Sequence, residues 1–314
     1  MPFNQKPEKF AAKINTVTIG NGDKAIALGG ESVLPFYAFD GPIDNAPKVG
    51  VEITDLGVDE SIPAVKAYYE GCSSVADMAK KASEMEGADF VVLSLKGGDP
   101  NGEDKPTEDL VAIVKEVVAA LGDYPLVVEG SGNVEKDSEL LTKVSEACQG
   151  TNALIMSAKE ENYKTVGASA GLAYGLNVGA ESAVDINLAK QLNVITTKLG
   201  VNAEKIVMNI GNAAVGYGYE YVVSTMDRIR NAALSQNDDT LQMPIITPVS
   251  VDAWSVKEAI ASEEDMPEWG PAEERGIGME IMAAAADLVS GSHAVILKHP
   301  QSVATISKMI KELV

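Results

Sequence analysis

From Val49 onward, short apolar runs of strand character alternate with longer stretches of helical periodicity, eight times over. The runs are VGVEIT (49–54), DFVVLSL (89–95), PLVVEG (125–130), NALIMS (152–157), LNVGA (176–180), KIVMNI (205–210), PIITPV (244–249) and HAVILK (293–298). Several are almost continuously apolar, as strands covered on both faces must be, and parallel strands joined by crossover helices provide that cover. The intervening segments carry the 3.6-residue stripe of helices. Leu140, Leu141, Val144, Ala147 and Cys148 form one, closed by Gly150. Ile277, Ile281, Met282, Ala285 and Leu288 form another, and Val303, Ile306, Met309, Ile310 and Leu313 a third. Pro106 and Thr107 open a further helix that ends at Gly122. Eight such units predict an α/β fold, a (β/α)8 TIM barrel. A doubly wound open sheet is the alternative, but eight evenly spaced units close on themselves.

Ahead of the repeat, INTVTIG (14–20) and KAIALGG (24–30) flank Asn21-Gly22-Asp23, a turn signal that predicts an N-terminal β-hairpin. A Gly- and Pro-rich stretch follows, from Gly29 to Pro47. Residues 1–48 are therefore assigned to a hairpin and lead-in that closes the bottom of the barrel, and residues 49–314 to the barrel, within a single structural domain. Between the seventh strand and its helix lies a long segment, Ser250 to Gly270, holding both tryptophans, Trp254 and Trp269, and the acidic cluster Glu263-Glu264-Asp265. A loop of that length serves function or partner docking, or else is a short helix folded over the barrel wall with its tryptophans buried.

The formal net charge of −21 disfavours nucleic acid and anionic membrane surfaces as partners. No apolar run approaches the roughly 18 residues that span a bilayer. The stretch MPFNQKPEKFAAKIN lacks the apolar core of a secretory signal, so a cytoplasmic location is expected. The two cysteines, Cys72 and Cys148, cannot supply four thiolates to an iron–sulfur cluster and are expected to be plain buried thiols. Together with His293 and His299 they have no zinc-ligand spacing, so no metal site is assigned.

Barrel chemistry sits at the C-terminal strand ends. Here those ends offer Asp55, Lys96-Gly97-Gly98, Glu129-Gly130-Ser131-Gly132-Asn133, Ser157, Glu181, Asn209, Thr247-Pro248 and Lys298-His299. The set is rich in amides, hydroxyls and glycines, and reads as a mild, mostly neutral mouth. It lacks the fourth- and seventh-strand glutamates of a barrel glycosidase and any G-x-S-x-G elbow, so no catalytic residue is assigned. Gly211 to Gly216 has the glycine spacing of a phosphate loop, but Tyr217-Gly218 replace the Lys-Ser/Thr pair, and a tight strand-to-helix turn is the better reading. The glycines around Ser131 allow a planar ligand to approach the backbone, with Asn133 as donor and acceptor; a plain turn with a helix cap is the competing reading. An apolar cover over Glu129 would raise its pKa and make it a proton donor or hydrogen-bonding anchor. Lys298 and His299 read as rim solvation or helix capping, and His293 as structural at the closed end.

VVEGSGNVEKDSELL, ALIMSAKEENYKTV and KIVMNIGNAAVGYGYEYVVSTMDRIR resemble consecutive units of pterin-dependent methyltransferase barrels. YAFDGPIDNAPKVGVEITD (37–55), LSLKGGDPNGED and MPIITPVSVDAW extend the likeness over nearly the whole chain, to the small (delta) subunits of corrinoid iron–sulfur proteins and acetyl-CoA decarbonylase/synthase complexes. The resemblance implies a methyl-carrier subunit rather than an independent enzyme. In that family a heterodimer relays a methyl group from methyltetrahydrofolate, through a methyltransferase, to acetyl-CoA synthase/CO dehydrogenase in the reductive acetyl-CoA pathway. It also implies a cobamide (corrinoid) at the interface with a large subunit, and a 4Fe–4S cluster on that partner alone. The residues expected to line the covered mouth are Lys96, Gly97, Glu129, Asn133, Ser157, Asn209 and Thr247. The family's aspartates are replaced by Glu129 and Asn209 here. A methyl-pterin:corrinoid methyltransferase in its own right and a non-catalytic docking scaffold are the alternatives.

Overall fold

A computed structural model describes residues 6–314; the first five residues of the stretch considered above for a secretory signal lie outside the described residues. Two short strands, β1 (Val17–Ile19) and β2 (Ile26–Leu28), pair antiparallel. Eight parallel strands follow: β3 (Lys48–Thr54), β4 (Phe90–Ser94), β5 (Leu126–Glu129), β6 (Leu154–Ala158), β7 (Asn177–Glu181), β8 (Ile206–Asn209), β9 (Ile245–Thr247) and β10 (Ala294–Leu297). Each pairs with its sequence neighbours, and β10 returns to β3 to close the barrel. The fold is the predicted TIM barrel with an N-terminal hairpin. Among the described residues no helix is long and apolar enough to cross a membrane.

Alternation along each strand divides the apolar residues into two cores. Val49, Val51 and Ile53 of β3, with Val91 and Leu93 of β4, point outward into the helix layer. Phe90, Val92, Val127, Leu154, Met156, Val207, Ile246 and Ile296 fill the barrel interior. Val17, Ile19 and Leu28 of the hairpin join this inner cluster, so the hairpin does close the bottom. Fully burying each large aliphatic side chain contributes roughly 1.5–3 kcal/mol. The interior has no slack at Gly50, where a β-carbon would run into the Phe90 ring. The hairpin connection is wider than the tight turn its sequence predicts. A 3-10 turn at Gly22–Lys24 lies between the strands. The Asn21 side-chain amide donates 2.8 Å to the Gly150 carbonyl, and its backbone N–H donates to that of Asp123. Contacts with the barrel floor thus replace the self-contained turn.

Below the hairpin side of the barrel lies a buried ionic group. Arg230 pairs with Glu31, and His293 Nε2 lies 2.9 Å from the same Glu31 Oε1. His293 Nδ1 accepts the Ile245 N–H at 2.9 Å, which leaves the proton on Nε2 to donate to Glu31. Burial holds the His293 pKa below its ordinary value. Burial works against the charge on Glu31, but His293 and Arg230 outweigh it and hold its pKa far below the carboxylate range. His293 is structural, as expected.

The helix Ala272–Ser290 departs from its predicted stripe. Ile277 and Leu288 are buried as expected, but Met282 is 62% exposed and Val289 52%. The inward face is instead shared with two fully buried carboxylates, Glu280 and Asp287. Glu280 accepts the N–H of Lys298 at 2.7 Å, at the end of β10, and Asp287 accepts the Tyr219 hydroxyl at 2.6 Å. The long segment before this helix forms short helices at Val249–Ala253 and Lys257–Ile260 and a 3-10 turn at Pro267–Trp269. Its tryptophans separate. Trp254 is half-buried, packed against Gly276 and stacked on His299 at 5.8 Å. Trp269 is exposed, between the cations of Lys257 and Arg275. Of the thiols, Cys148 is buried, with its pKa pushed up by burial to about 12, and Cys72 is only half-buried.

Candidate functional site

The inward-facing positions at the C-terminal strand ends converge on one mouth. Glu52 comes from β3, Ser94 from β4, Glu129 from β5, Ser157 from β6 and Glu181 from β7; Lys96 follows β4 in a 3-10 turn, Lys96–Gly98. They border two cavities. The central one, about 170 Å³, is lined by Ser94, Glu129, Ser157, Lys159 and Glu181. The side cavity, about 250 Å³, lies toward Glu52, Asp59, Tyr69 and Lys298. Lys96 lines both.

Charge in this mouth is paired. Lys96 Nζ lies 2.6 Å from Glu52 Oε1, whose side chain is 1% exposed. The Ser250 hydroxyl donates 2.5 Å to the other Glu52 oxygen. Burial favours the neutral form of Glu52, but Lys96, then Lys298, and these hydrogen bonds hold its pKa below the ordinary value. Lys159 pairs with Glu181 at 3.1 Å, and Lys298 with Asp59 at 3.4 Å. Among the described residues, Glu129 has no such cation of its own. It accepts the Ser94 hydroxyl at 3.0 Å. Burial pushes its pKa up and the negative charge of Glu52 adds to the effect; Ser94 and Lys96 offset only part, leaving it at about 7. The expectation of a mild, mostly neutral mouth is therefore corrected: the mouth is ionic and internally neutralised.

Of the residues expected there, Lys96, Glu129 and Ser157 line the central cavity together. Asn209 stands behind them, its Nδ2 donating 3.1 Å to Ser157 Oγ while its Oδ1 accepts the Gly211 N–H. The other three lie elsewhere. Gly97 is buried in the turn, its N–H donating 2.8 Å to Asp55, and a β-carbon there would collide with that carboxylate. Asn133 caps the helix Val134–Ala147 by accepting the Lys136 N–H at 3.0 Å. Thr247 is turned to the helix layer, 3.0 Å from Ser292 Oγ, because the two-residue period of β9 gives the inward place to Ile246. The glycine loop is also occupied: the Asp137 carboxylate accepts the N–H groups of Ser131 and Gly132 at 2.7 and 3.0 Å. Gly211 to Gly216 forms an irregular turn into the helix Tyr219–Leu234. Lys298 belongs to the side cavity, and His299 caps the helix Pro300–Leu313 through Nδ1.

Glu52 was hidden within the apolar run VGVEIT; the available signal was a lone carboxylate in a strand buried on both faces. Glu181, Lys159 and Lys298 stood at strand ends, but their pairing across strands required the barrel's register. Among the described residues no three His, Cys, Asp or Glu side chains gather as a metal-holding group.

Residues 16–299 match the family model described as CO dehydrogenase/acetyl-CoA synthase delta subunit. The delta 2 subunit of the acetyl-CoA decarbonylase/synthase complex of Methanosarcina acetivorans is 33% identical over 316 residues, covering 97% of this chain and 72% of the relative. The delta subunit from Archaeoglobus fulgidus is 32% identical, covering 99% and 71%. Among solved structures, a Yersinia pestis dihydropteroate synthase with a sulfonamide drug superposes with a TM-score of 0.58 at 14% identity, covering 85% of this chain and 93% of the synthase. At that identity the likeness is one of fold.

Proposed function

The chain belongs to the family of CO dehydrogenase/acetyl-CoA synthase delta subunits, and from that premise we propose that it is the small subunit of a heterodimeric corrinoid iron–sulfur methyl carrier. In this reading its barrel mouth covers a cobamide held mainly by a large subunit, which alone carries the 4Fe–4S cluster. The pair receives a methyl group from methyltetrahydrofolate through a methyltransferase and delivers it to acetyl-CoA synthase/CO dehydrogenase. The observation that supports a cover over an independent catalyst is the paired charge of the mouth. Glu52 and Glu181 are each committed to a lysine, and a carboxylate so committed is a poor general base.

The residues present fit a corrinoid. Its flat ring is apolar and its edge carries amide arms. Leu56 and Val251 stand exposed at the rim of the two cavities, suited to the ring face. Lys96 and Ser157 beneath them offer donors to amide oxygens. The bound cobalt supplies the site that takes up and gives away the methyl group. This chain's residues would exclude water from the covered mouth and, through Glu129 with its pKa pushed up to about 7, would take up or release a proton at its floor near neutrality.

Anaerobic purification from the native source tests the reading. A larger subunit with corrinoid and iron–sulfur absorbance is expected to copurify. Glu129 also favours a second reading, because a carboxyl poised near neutrality can donate a proton during methyl transfer from a pterin. If the isolated chain binds methyltetrahydrofolate and methylates free cobalamin, the second reading replaces the first.

A further inference from the structure

Tyr69 closes the helix Pro63–Tyr68 and is 3% exposed. Its ring packs edge-on against Tyr68, but its hydroxyl has no hydrogen-bond partner among the described residues. A buried hydroxyl left unpaired costs free energy, so an orphan of this kind marks a place where a partner belongs. Tyr69 lines the side cavity of about 250 Å³.

The same cavity holds a loose ion pair. Lys298 Nζ lies 3.4 Å from Asp59 Oδ2, long beside the roughly 2.7–2.9 Å of a charge-assisted bond. Asp59 Oδ1 is filled by the N–H and hydroxyl of Ser61, whereas Oδ2 meets Lys298 alone among the described residues. An ammonium with three donors and a carboxylate oxygen therefore stand side by side with capacity to spare. The other pair in the cavity, Lys96 and Glu52, is tight at 2.6 Å, and Ser250 completes it.

These surroundings select the ligand. Two lysines balance two carboxylates in the lining, so an ion of either sign would enter without a counter-charge. The net charge of −21 opposes an anion further. Leu56, Val58, Val65 and Met78 form an apolar wall that gains nothing from water. The space exceeds the roughly 150 Å³ that admits a benzene ring.

We propose that the side cavity is a binding site for a neutral carboxamide carried on a small apolar body. The amide oxygen accepts from Lys298 and Tyr69, and the amide nitrogen donates to Asp59 Oδ2. A planar amide presents acceptor and donor on neighbouring positions, as Lys298 and Asp59 require. The assignment stands on the cavity and does not rest on the corrinoid reading. A free small molecule and an amide arm of a corrinoid share this chemistry.

The test is a benzamide titration of the full chain labelled with 13C-methyl methionine, because Met78 lines the cavity. Benzamide is expected to shift the Met78 methyl resonance saturably. Benzoate, its anionic counterpart, is expected to bind about tenfold more weakly or worse. Tyr69→Phe removes one donor and is expected to weaken benzamide about three- to tenfold. It is expected to leave the melting temperature no lower than that of the wild type, since the hydroxyl has no partner to lose. Lys298→Leu is expected to weaken benzamide by at least as much as Tyr69→Phe. An unmoved Met78 resonance overturns the proposal, as does benzoate binding as tightly as benzamide. Unchanged benzamide affinity in both variants overturns it too. Dicyanocobinamide separates the two sources. Displacement of benzamide by it supports a corrinoid arm, and benzamide remaining bound beside it supports a free small molecule.

Discussion

Lys96 Nζ sits 2.6 Å from Glu52 Oε1, joining the end of β4 to a carboxylate inside β3. That contact fixes the sign of the field at the floor of the mouth, because Glu52 stays ionised and its negative charge, with burial, raises the pKa of Glu129. Glu52→Gln is therefore expected to lower the Glu129 midpoint from about 7. Carbon-detected NMR titration of glutamate carboxyls reads it directly, and an unmoved midpoint would show that burial alone sets the value.

Glu129 also gives the protein a pH-dependent weakness. Its folded pKa of about 7 lies above the ordinary 4.5, so the folded state binds the proton more tightly. The carboxyl carries no penalty below pH 4.5, and stability falls as pH rises from there through 7. The loss is on the order of 3 kcal/mol at most, from 1.36 kcal/mol per pKa unit. Asp287, also pushed up by burial to about 7, acts in the same window, so the comparison must be between wild type and Glu129→Gln. Urea denaturation at pH 5 and pH 8 is expected to show a smaller drop for the variant.

At the closed end the sign reverses. The folded pKa of His293 is depressed, so its contribution is complete above the unfolded 6.5 and is lost as pH falls through the folded value. Glu31 acts likewise below 4.5. His293→Gln, which can still accept from Ile245 and donate to Glu31, is expected to flatten the acid limb below pH 6.5. Arg230→Leu strands the Glu31 charge and is expected to cost about 3–5 kcal/mol at pH 7 by urea denaturation.

A β-carbon at Gly276 would meet the Trp254 ring. Gly276→Ala is expected to displace Trp254 from His299, shift tryptophan emission, and destabilise the fold by roughly 1–3 kcal/mol through overpacking. Unchanged emission would show that the helix, not the ring, gives way.

The barrel was legible because strands buried on both faces are largely apolar, as several of β3 to β10 are, and because they alternate regularly with helical stripes. The strand ends named the right neighbourhood for Lys96, Glu129 and Ser157. They could not say which face a residue takes. Thr247 differs from Ile246 by one position and points the opposite way, and only register decides between them. Met282 fell into the expected stripe because its spacing suits a core. The inward places went to Glu280 and Asp287, whose partners on other segments are invisible to periodicity.

The hairpin has a consequence for assembly of the tube. Val17, Ile19 and Leu28 find their seat only among residues such as Phe90 and Ile296, contributed by strands from β4 to β10. A cork cannot fit before its bottle is blown. Closure of the ring and sealing of its floor are therefore expected to be coupled, because two three-residue strands depend on contacts with residues drawn from nearly the whole length of the chain.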